Sequence, residues 1–422
     1  MTQQRGRGLF KALAVMAAFV LAGAFGLGRG TASAEELRIG LLAPMTGIFA
    51  QIGKDMQNGI QMYLDEVNSN FAGAQVKLIT EDTQGKPPIN VQKAQKLIRQ
   101  DRVQIFMGGL LASSGYALAP VSTRSKTVYL VPVAAADDLT QRQNFPYLVR
   151  TGWTSSQPTH PLGVWACEKG YKRVSAIGAD YAFGYEVIGG FQKAFEDCGG
   201  KVVQKIWAPL GTKDFGPFLP QIKRDVDAVF TLMVGPMSLQ FPKQYKAAGM
   251  NMPLVGGGTS ADEFVLPFMG DEAIGYTTAL QYSAALDTPK NIAFVKKYRK
   301  LYGKVPSYYS ETDYTTAQWV HEVMKKTGGK WPGAKKFIAI FSSIKLDSVR
   351  GPIELDDQRN PIENIYIRTV EKKKNFGYPN DELWNTVVKT YPKVSQYWTY
   401  GKAKFLKQPV YSRDFPPCRY CE

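Results

Sequence analysis

VQIFMGGLLASSGYALAPVSTRSKTVYLVPVAAADDL, residues 103–139, decides how the chain is read. Its first five residues are an apolar run that ends in Gly108-Gly109. Leu111, Ala112, Ser113 and Ser114 then lead into a helical segment. A second apolar run, residues 127–131, ends in Pro132, Val133, Ala134 and Ala135. Strand, turn, helix, strand, turn is the pattern of a βαβ unit. In an open parallel sheet, ligands bind beyond the carboxyl ends of the strands. Both strand ends here carry small or apolar residues with free backbone N–H groups. Ser113 and Ser114 stand where an N-cap belongs, which leaves the helix N-terminus open to an anion. The stretch reads as the floor of a small-molecule site, although Gly, Ala and Ser also serve as plain tight-turn residues.

The same alternation continues on both sides. Strands are expected at 37–42, 76–80, 174–178, 202–207, 228–233, 254–255 and 275–282, with helices at 53–68, 91–99, 158–169, 185–197 and 239–248. Residues 147–151 are expected to begin a crossing, and 215–222 to open a short helix. Helices at 291–301, 313–326 and 331–344 follow, then strands at 351–355 and 365–370. The tail from Glu371 is rich in Lys, Tyr and Pro and shows little periodicity. Two successive strand–helix runs imply an α/β fold of two doubly wound parallel-sheet lobes.

The formal charge of the 422 residues is +16, and removal of Arg5, Arg7, Lys11 and Arg29 with a leader leaves about +12. The basic residues are spread among acidic ones, which describes a solvated basic surface and not a nucleic-acid stripe. Residues 1–34 have a basic start, an apolar run at 12–27 and Ala32-Ser33-Ala34, the pattern of an export leader cleaved after Ala34. No later run is long enough to cross a bilayer, so export to the periplasm in soluble form is expected. Four cysteines allow three disulfide connectivities. Cys167 and Cys198 end neighbouring predicted helices, and Cys418 and Cys421 can close a small ring.

Catalytic and metal motifs are missing. No H-E-x-x-H, G-x-S-x-G, P-loop or complete G-x-G-x-x-G occurs. A secreted hydrolase is disfavoured, and no catalytic residue, metal or cofactor is expected. Asp137-Asp138 reads as a solvated helix N-terminus and not as a working carboxylate pair. His321 reads as a surface or packed residue of its helix. His160, beside Ser155, Ser156 and Gln157 after a lobe crossing, is a candidate for facing a cleft.

The segment IGLLAPMTGIFAQIGKDMQNGIQMYLDEVN (residues 39–68) resembles the start of the periplasmic branched-chain amino acid-binding proteins, the type I solute-binding proteins of ABC importers. Thr80-Glu81-Asp82, GGLLASS, Pro132, Arg150-Thr151, DYAFGYE, KDFGPFLPQIK and GPIEL fit the same family in order and spacing. The resemblance covers about four-fifths of the chain. It implies two lobes joined by three hinge crossings that close on a small ligand. Lobe one would hold residues 35–151 and 283–347, lobe two 152–282 and 348–370. Residues 371–422 would be an extension packed on lobe two or the hinge. Partners would be a membrane permease and its ATPase, with a monomer the simplest form of a trap that opens and closes. A ligand sensor for a membrane receptor is the alternative role.

In amino acid-binding members a serine and a threonine hold the ligand's α-carboxylate and ammonium. Those positions are Ala112 and Ala135 here, with Val133 offering a backbone group. The carboxylate that pairs with the ammonium falls near Gly258, and an acidic residue near the first crossing falls at Ser155. Aromatic contacts fall at Phe183 and Tyr309, with Tyr181 adjacent, and a first-loop contact falls at Ile52. A buried ammonium needs a paired charge or several acceptors. With Ala, Gly and Ser at those sites, the best ligand is an aromatic or other apolar carboxylate in a cleft that includes Phe49, Trp153, Tyr181, Phe183, Tyr282 and Tyr309. A branched-chain or other amino acid, or an amide, is the alternative.

Overall fold

The computed structural model describes residues 35–421. The expected leader and its cleavage after Ala34 lie outside the described residues. The chain opens with β1 (Glu36–Ala43), an apolar run buried along most of its length, as a strand covered on both faces must be. Then come α1 (Ala50–Glu66), β2 (Asn70–Phe71), β3 (Ala74–Asp82), α2 (Pro87–Arg99), β4 (Ile105–Gly108), α3 (Ala112–Ser125), β5 (Val128–Val131) and β6 (Leu148–Arg150). Their sheet order is β2-β3-β1-β4-β5-β6, parallel throughout except for the β2–β3 hairpin. The chain passes from β1 to β3 on one side and then to β4 on the other. The winding therefore reverses between β1 and β4.

A second run supplies α4 (Thr159–Glu168), β7 (Arg173–Ala179), α5 (Ala182–Asp197), β8 (Lys201–Ala208), β9 (Ala228–Leu232), α6 (Pro236–Ala247), β10 (Leu254–Gly257) and β11 (Thr277–Leu280). The order β8-β7-β9-β10-β11 is parallel and repeats the first topology, with its reversal between β7 and β9. Next, α7 (Pro289–Tyr302), α8 (Tyr308–Lys326) and α9 (Ala334–Ser343) return to the first lobe. Helix α8 lies so close to α1 that a Cβ on Gly59 would stand 2.0 Å from the Ser310 carbonyl oxygen. Finally β12 (Leu346–Ser348), β13 (Gly351–Leu355), β14 (Pro361–Lys373) and β15 (Glu382–Val394) extend the second sheet with antiparallel pairs, ahead of the single turn α10 (Lys402–Phe405).

Several expectations need correction. Residues 147–151 lead into the first crossing only after Leu148–Arg150 has paired in parallel with β5 as the sixth strand. Of 215–222 only Leu219–Gln221 winds, into one 3-10 turn that Pro220 opens. Helix α9 starts at Ala334 and not at Trp331, since Pro332 and Gly333 (φ +84°) precede it. The tail is not structureless. Its first part completes β14, and residues 382–394 form β15 on the sheet edge. Half-exposed and carrying Lys389, Pro392 and Lys393, this strand lacks the apolar alternation of a buried one. The rest of the tail packs on α4 and α5. Tyr411 lies against Gly189, and its hydroxyl is 3.0 Å from His160 Nε2. His160 therefore faces the tail and not a cleft, and burial pushes its pKa down to about 3. His321 is packed, stacked on Phe71 with its Nδ1 3.0 Å from the Tyr63 hydroxyl. Disulfides join Cys167 to Cys198, at the ends of α4 and α5, and Cys418 to Cys421.

The chain passes between the sheets after β6, after β11 and after α9, and each passage holds a buried arginine. At the first, Arg150 donates to the carbonyls of Ala134 (2.7 Å), Ala136 (2.5 Å) and Trp153 (3.0 Å). At the second, Arg368 donates to Tyr282 O (2.7 Å) and Gly258 O (2.8 Å) and reaches Glu263 (3.3 Å). At the third, Arg350 joins Glu311 on α8, Glu363 on β14 and the Thr151 carbonyl. Burial alone would lower the pKa of Arg350, but Glu311 and Glu363 outweigh it and raise it. Removing one member of a buried charge cluster leaves the others uncompensated. Arg350→Ala is expected to cost about 3–5 kcal/mol of unfolding free energy by urea denaturation. A loss below about 1 kcal/mol would mean that the crossings hold without it.

Candidate functional site

The carboxyl ends of the central strands of both sheets open on one cleft between the lobes, at the two reversals of winding. Its wall takes Phe49 from the β1–α1 connection and Ile52 from the first turn of α1, and Leu110 and Leu111 from the turn after β4 with Ala112 at the start of α3. Val133 and Ala135 follow β5, and Trp153 follows β6. Lobe two contributes Tyr181 and Phe183 after β7, Val234 and Gly235 after β9, and Thr259 after β10, while Tyr308 and Tyr309 open α8. The empty space is about 360 Å³ with its mouth included.

The lobes meet across this cleft. A Cβ on Gly235, which sits at φ +54°, would lie 2.7 Å from the Phe49 ring, so glycine permits the contact. Trp153 packs edge-on against Phe183 (5.6 Å) on one side and Tyr308 (5.9 Å) on the other. Phe264 of lobe two meets Tyr309 at 5.6 Å.

Of the expected contacts, Ile52, Leu111, Ala112, Val133, Ala135, Trp153, Tyr181, Phe183 and Tyr309 stand in the wall. Ser113, Ser114, Ala134, Ser155 and Gly258 do not. Ser113 points to solvent, and Ser114 is buried with its hydroxyl 3.3 Å from Asn90 Nδ2. Neither serine caps the helix, because Leu111 is the N-cap residue and no side chain bonds there. Gly258 turns its carbonyl to Arg368, which leaves its neighbour Thr259 at the wall. Ala134 gives its carbonyl to Arg150. Tyr282, expected in the cleft, is buried outside the wall. Leu110, Val234, Gly235, Thr259 and Tyr308 went unnoticed in the sequence. Val234-Gly235 follows β9 as Gly109-Leu110 follows β4, so the repeat of topology was the clue to it.

Among the described residues no charged side chain lines the cleft. Its electrostatics come from helix ends. The N-termini of α1, α3, α5, α6 and α8 all reach the wall, through Phe49, Leu111, Tyr181, Gly235 and Tyr308, and no side-chain bond caps any of them. First-turn amides have no partner inside their helix, and each helix start carries partial positive charge. The convergence favours an anion and disfavours an ammonium group. Burial pushes the hydroxyls of Tyr181, Tyr308 and Tyr309 above their usual pKa, so they are neutral donors. Thr259 Oγ1 donates to Met233 O at 2.8 Å. Trp153 is buried, and its Nε1 has no partner.

Behind the wall, Glu186 of α5 links the lobes. It accepts from Tyr116 Oη (3.2 Å) and Asp137 N (3.1 Å) and lies 2.6 Å from Ser155 Oγ. Ser155 Oγ also lies 2.7 Å from the Ala135 carbonyl, so one hydroxyl hydrogen faces two acceptors. A protonated Glu186 resolves that conflict. Burial and then Asp137 push its pKa well above the usual carboxyl value, and burial brings Asp137 up to about 6. Asp137 and Asp138 are thus not a solvated helix start. Both are buried in a 3-10 turn, where Asp137 accepts from Ser156 N and Asp138 from Arg142.

Among the described residues no cluster of His, Cys, Asp and Glu has the form of a metal site, and no helix is long and apolar enough to cross a membrane. Residues 36–375 match the model of the periplasmic binding protein family. A Leu/Ile/Val-binding protein homolog of Brucella melitensis is 31% identical over 368 residues, 85% of this chain and 94% of its own. A solute-binding protein of an ABC transporter from Rhodopseudomonas palustris, solved with 3,4-dihydroxybenzoic acid, superposes with a TM-score of 0.80 at 34% identity, covering 86% of this chain and 98% of its own. Another from the same species, solved with 4-hydroxybenzoate, gives 0.80 at 30% identity, over 86% and 99%.

The raised Asp137 makes stability fall with pH in a defined window. Its folded form keeps a proton that the unfolded chain releases near pH 4, so stability is lost as pH rises from about 4 to about 6. Asp137→Asn retains the bond from Ser156 N and cannot ionise. The difference in urea midpoint, variant minus wild type, is expected to grow in the variant's favour across that window. A difference constant with pH would contradict the assignment.

Proposed function

Because the chain belongs to the periplasmic binding protein family, we propose that it captures a small aromatic carboxylate between its lobes, as the solute-binding component of an ABC importer of the branched-chain amino acid class. The observation that carries this reading is the wall itself: five uncapped helix N-termini, an aromatic lining and no carboxylate to receive an ammonium. The carboxylate rests on first-turn amides, and the ring lies among Phe49, Trp153, Phe183 and the tyrosines. Relatives of the same fold were solved with hydroxylated benzoates, which supports the assignment. The reaction is binding without turnover. Ligand bridges the lobes and stabilises the closed form, which is then offered to a permease and its ATPase. Ile52, Ala112, Val133, Ala135, Trp153, Tyr181, Phe183 and Tyr309 are the proposed ligand contacts. Export with cleavage after Ala34 and action as a monomer complete the proposal.

Lobe one, on this reading, comprises residues 35–151 and 283–345, and lobe two 152–282 and 346–394. The tail strand β15 enlarges the lobe-two sheet, and residues 395–421 brace α5.

Thermal shift on refolded protein, freed of carried-over ligand, tests the assignment. Benzoate or 4-hydroxybenzoate at a hundredfold its dissociation constant is expected to add about 2.7 kcal/mol of stability, with no shift from leucine or isoleucine. A shift from the amino acids alone would return the protein to the amino acid receptors.

A further inference from the structure

Trp153 is the least explained member of the wall. Its backbone is fixed, since its carbonyl accepts from Arg150 at 3.0 Å and a Cβ on the preceding Gly152 would stand 1.9 Å from Pro132 O. Its ring is fixed as well, wedged edge-on between Phe183 and Tyr308. The side chain is 2% exposed, yet its Nε1 donates to nothing. An indole nitrogen can only donate, and a buried donor left unpaired is costly. A donor held so rigidly at the wall of a ligand cleft wants an acceptor from the ligand.

The carboxylate does not have to supply it. Uncapped first-turn amides at the start of α3 already offer donors beside Ala112. Ala112 follows β4 and Trp153 follows β6, with β5 between them in the sheet. Neighbouring strands are about 4.8 Å apart, so the two strand ends are separated by about 10 Å. The α3 amides and the Trp153 ring thus stand on opposite sides of the β5 end, and a substituted benzene ring fits between them in that order. Val133 and Ala135, at the end of β5, make the apolar floor beneath it.

We propose that Trp153 Nε1 is the specificity donor of the cleft, reading a second acceptor oxygen that the ligand carries across the ring from its carboxylate. The ligand class is therefore an oxygenated aromatic acid in preference to the bare one. This rests on the aromatic-carboxylate reading above.

Calorimetric titration of the refolded full-length mature chain with benzoate, 4-hydroxybenzoate and 4-methylbenzoate tests it. Wild type is expected to bind the hydroxy acid about tenfold more tightly than the other two. Trp153→Phe keeps an aromatic ring in place and removes the donor. It should erase that preference, so that the hydroxy, methyl and unsubstituted acids bind alike. An unchanged preference in Trp153→Phe overturns the assignment while the aromatic-acid reading stands. Wild-type binding of the methyl acid as tight as that of the hydroxy acid overturns it without any variant, which covers a variant that fails to fold. If wild type binds none of the three acids, the aromatic-acid reading itself falls, and this inference with it.

Discussion

Three guanidinium groups without access to water hold the molecule in its two-lobed form. A buried charge is tolerated only when its hydrogen-bonding capacity is met, and the three arginines meet it differently. Arg350 faces two carboxylates and so ties α8, β14 and the first crossing into one ionic unit. Arg368 divides its donors among Glu263, the Thr278 hydroxyl and the carbonyls of Gly258 and Tyr282. Arg150 donates to three carbonyls and one hydroxyl. Burial brings the pKa of Arg150 down to about 10, against the pull of Asp137 and Glu186, and it stays charged near neutral pH. Two of its acceptors, the carbonyls of Ala134 and Ala136, flank Ala135, and the third belongs to Trp153. The group that holds the first crossing thus also sets the cleft floor.

The cleft follows from topology more than from side-chain chemistry. Each lobe reverses its winding beside its first parallel strand, and a crevice opens there beyond the strand ends. Two such lobes face to face bring helix starts together from both sides. A site built this way carries positive potential with no basic residue in its wall. It suits an anion whose other end is flat and apolar, and it gives an ammonium group nothing to pair with. Glu186, the carboxyl that links the lobes behind the wall, has its oxygens occupied by Tyr116, Asp137 and Ser155.

Much of this was legible in the sequence, for physical reasons. Parallel strands buried on both faces are uninterrupted apolar runs, so β1, β4, β5 and β9 could be read directly, and Gly351–Leu355 matched to the residue. The wall residues after β4 and β5 followed from the rule that ligands sit at strand ends. The failures have causes too. Strand β15 is an edge strand whose exposed face carries lysines, so alternation could not reveal it. Asp137 looks solvated because its partners, Ser156 and Glu186, lie beyond the lobe crossing, and Asp138 because its partner Arg142 is held in turn by the tail. The serines after Gly108-Gly109 were read as standing at the N-cap, whereas the cap position is Leu111, and the open helix end that the stretch suggested lies at the cleft wall. Tyr308 escaped because α8 was read as starting five residues later, which put its first turn in a loop.

The central claim is that the cleft binds a carboxylate and refuses an ammonium. Titration calorimetry with phenylacetate and phenylglycine compares two ligands that differ by that one group. The account predicts measurable affinity for phenylacetate and none for phenylglycine under the same conditions. Phenylglycine binding as tightly as phenylacetate would contradict it.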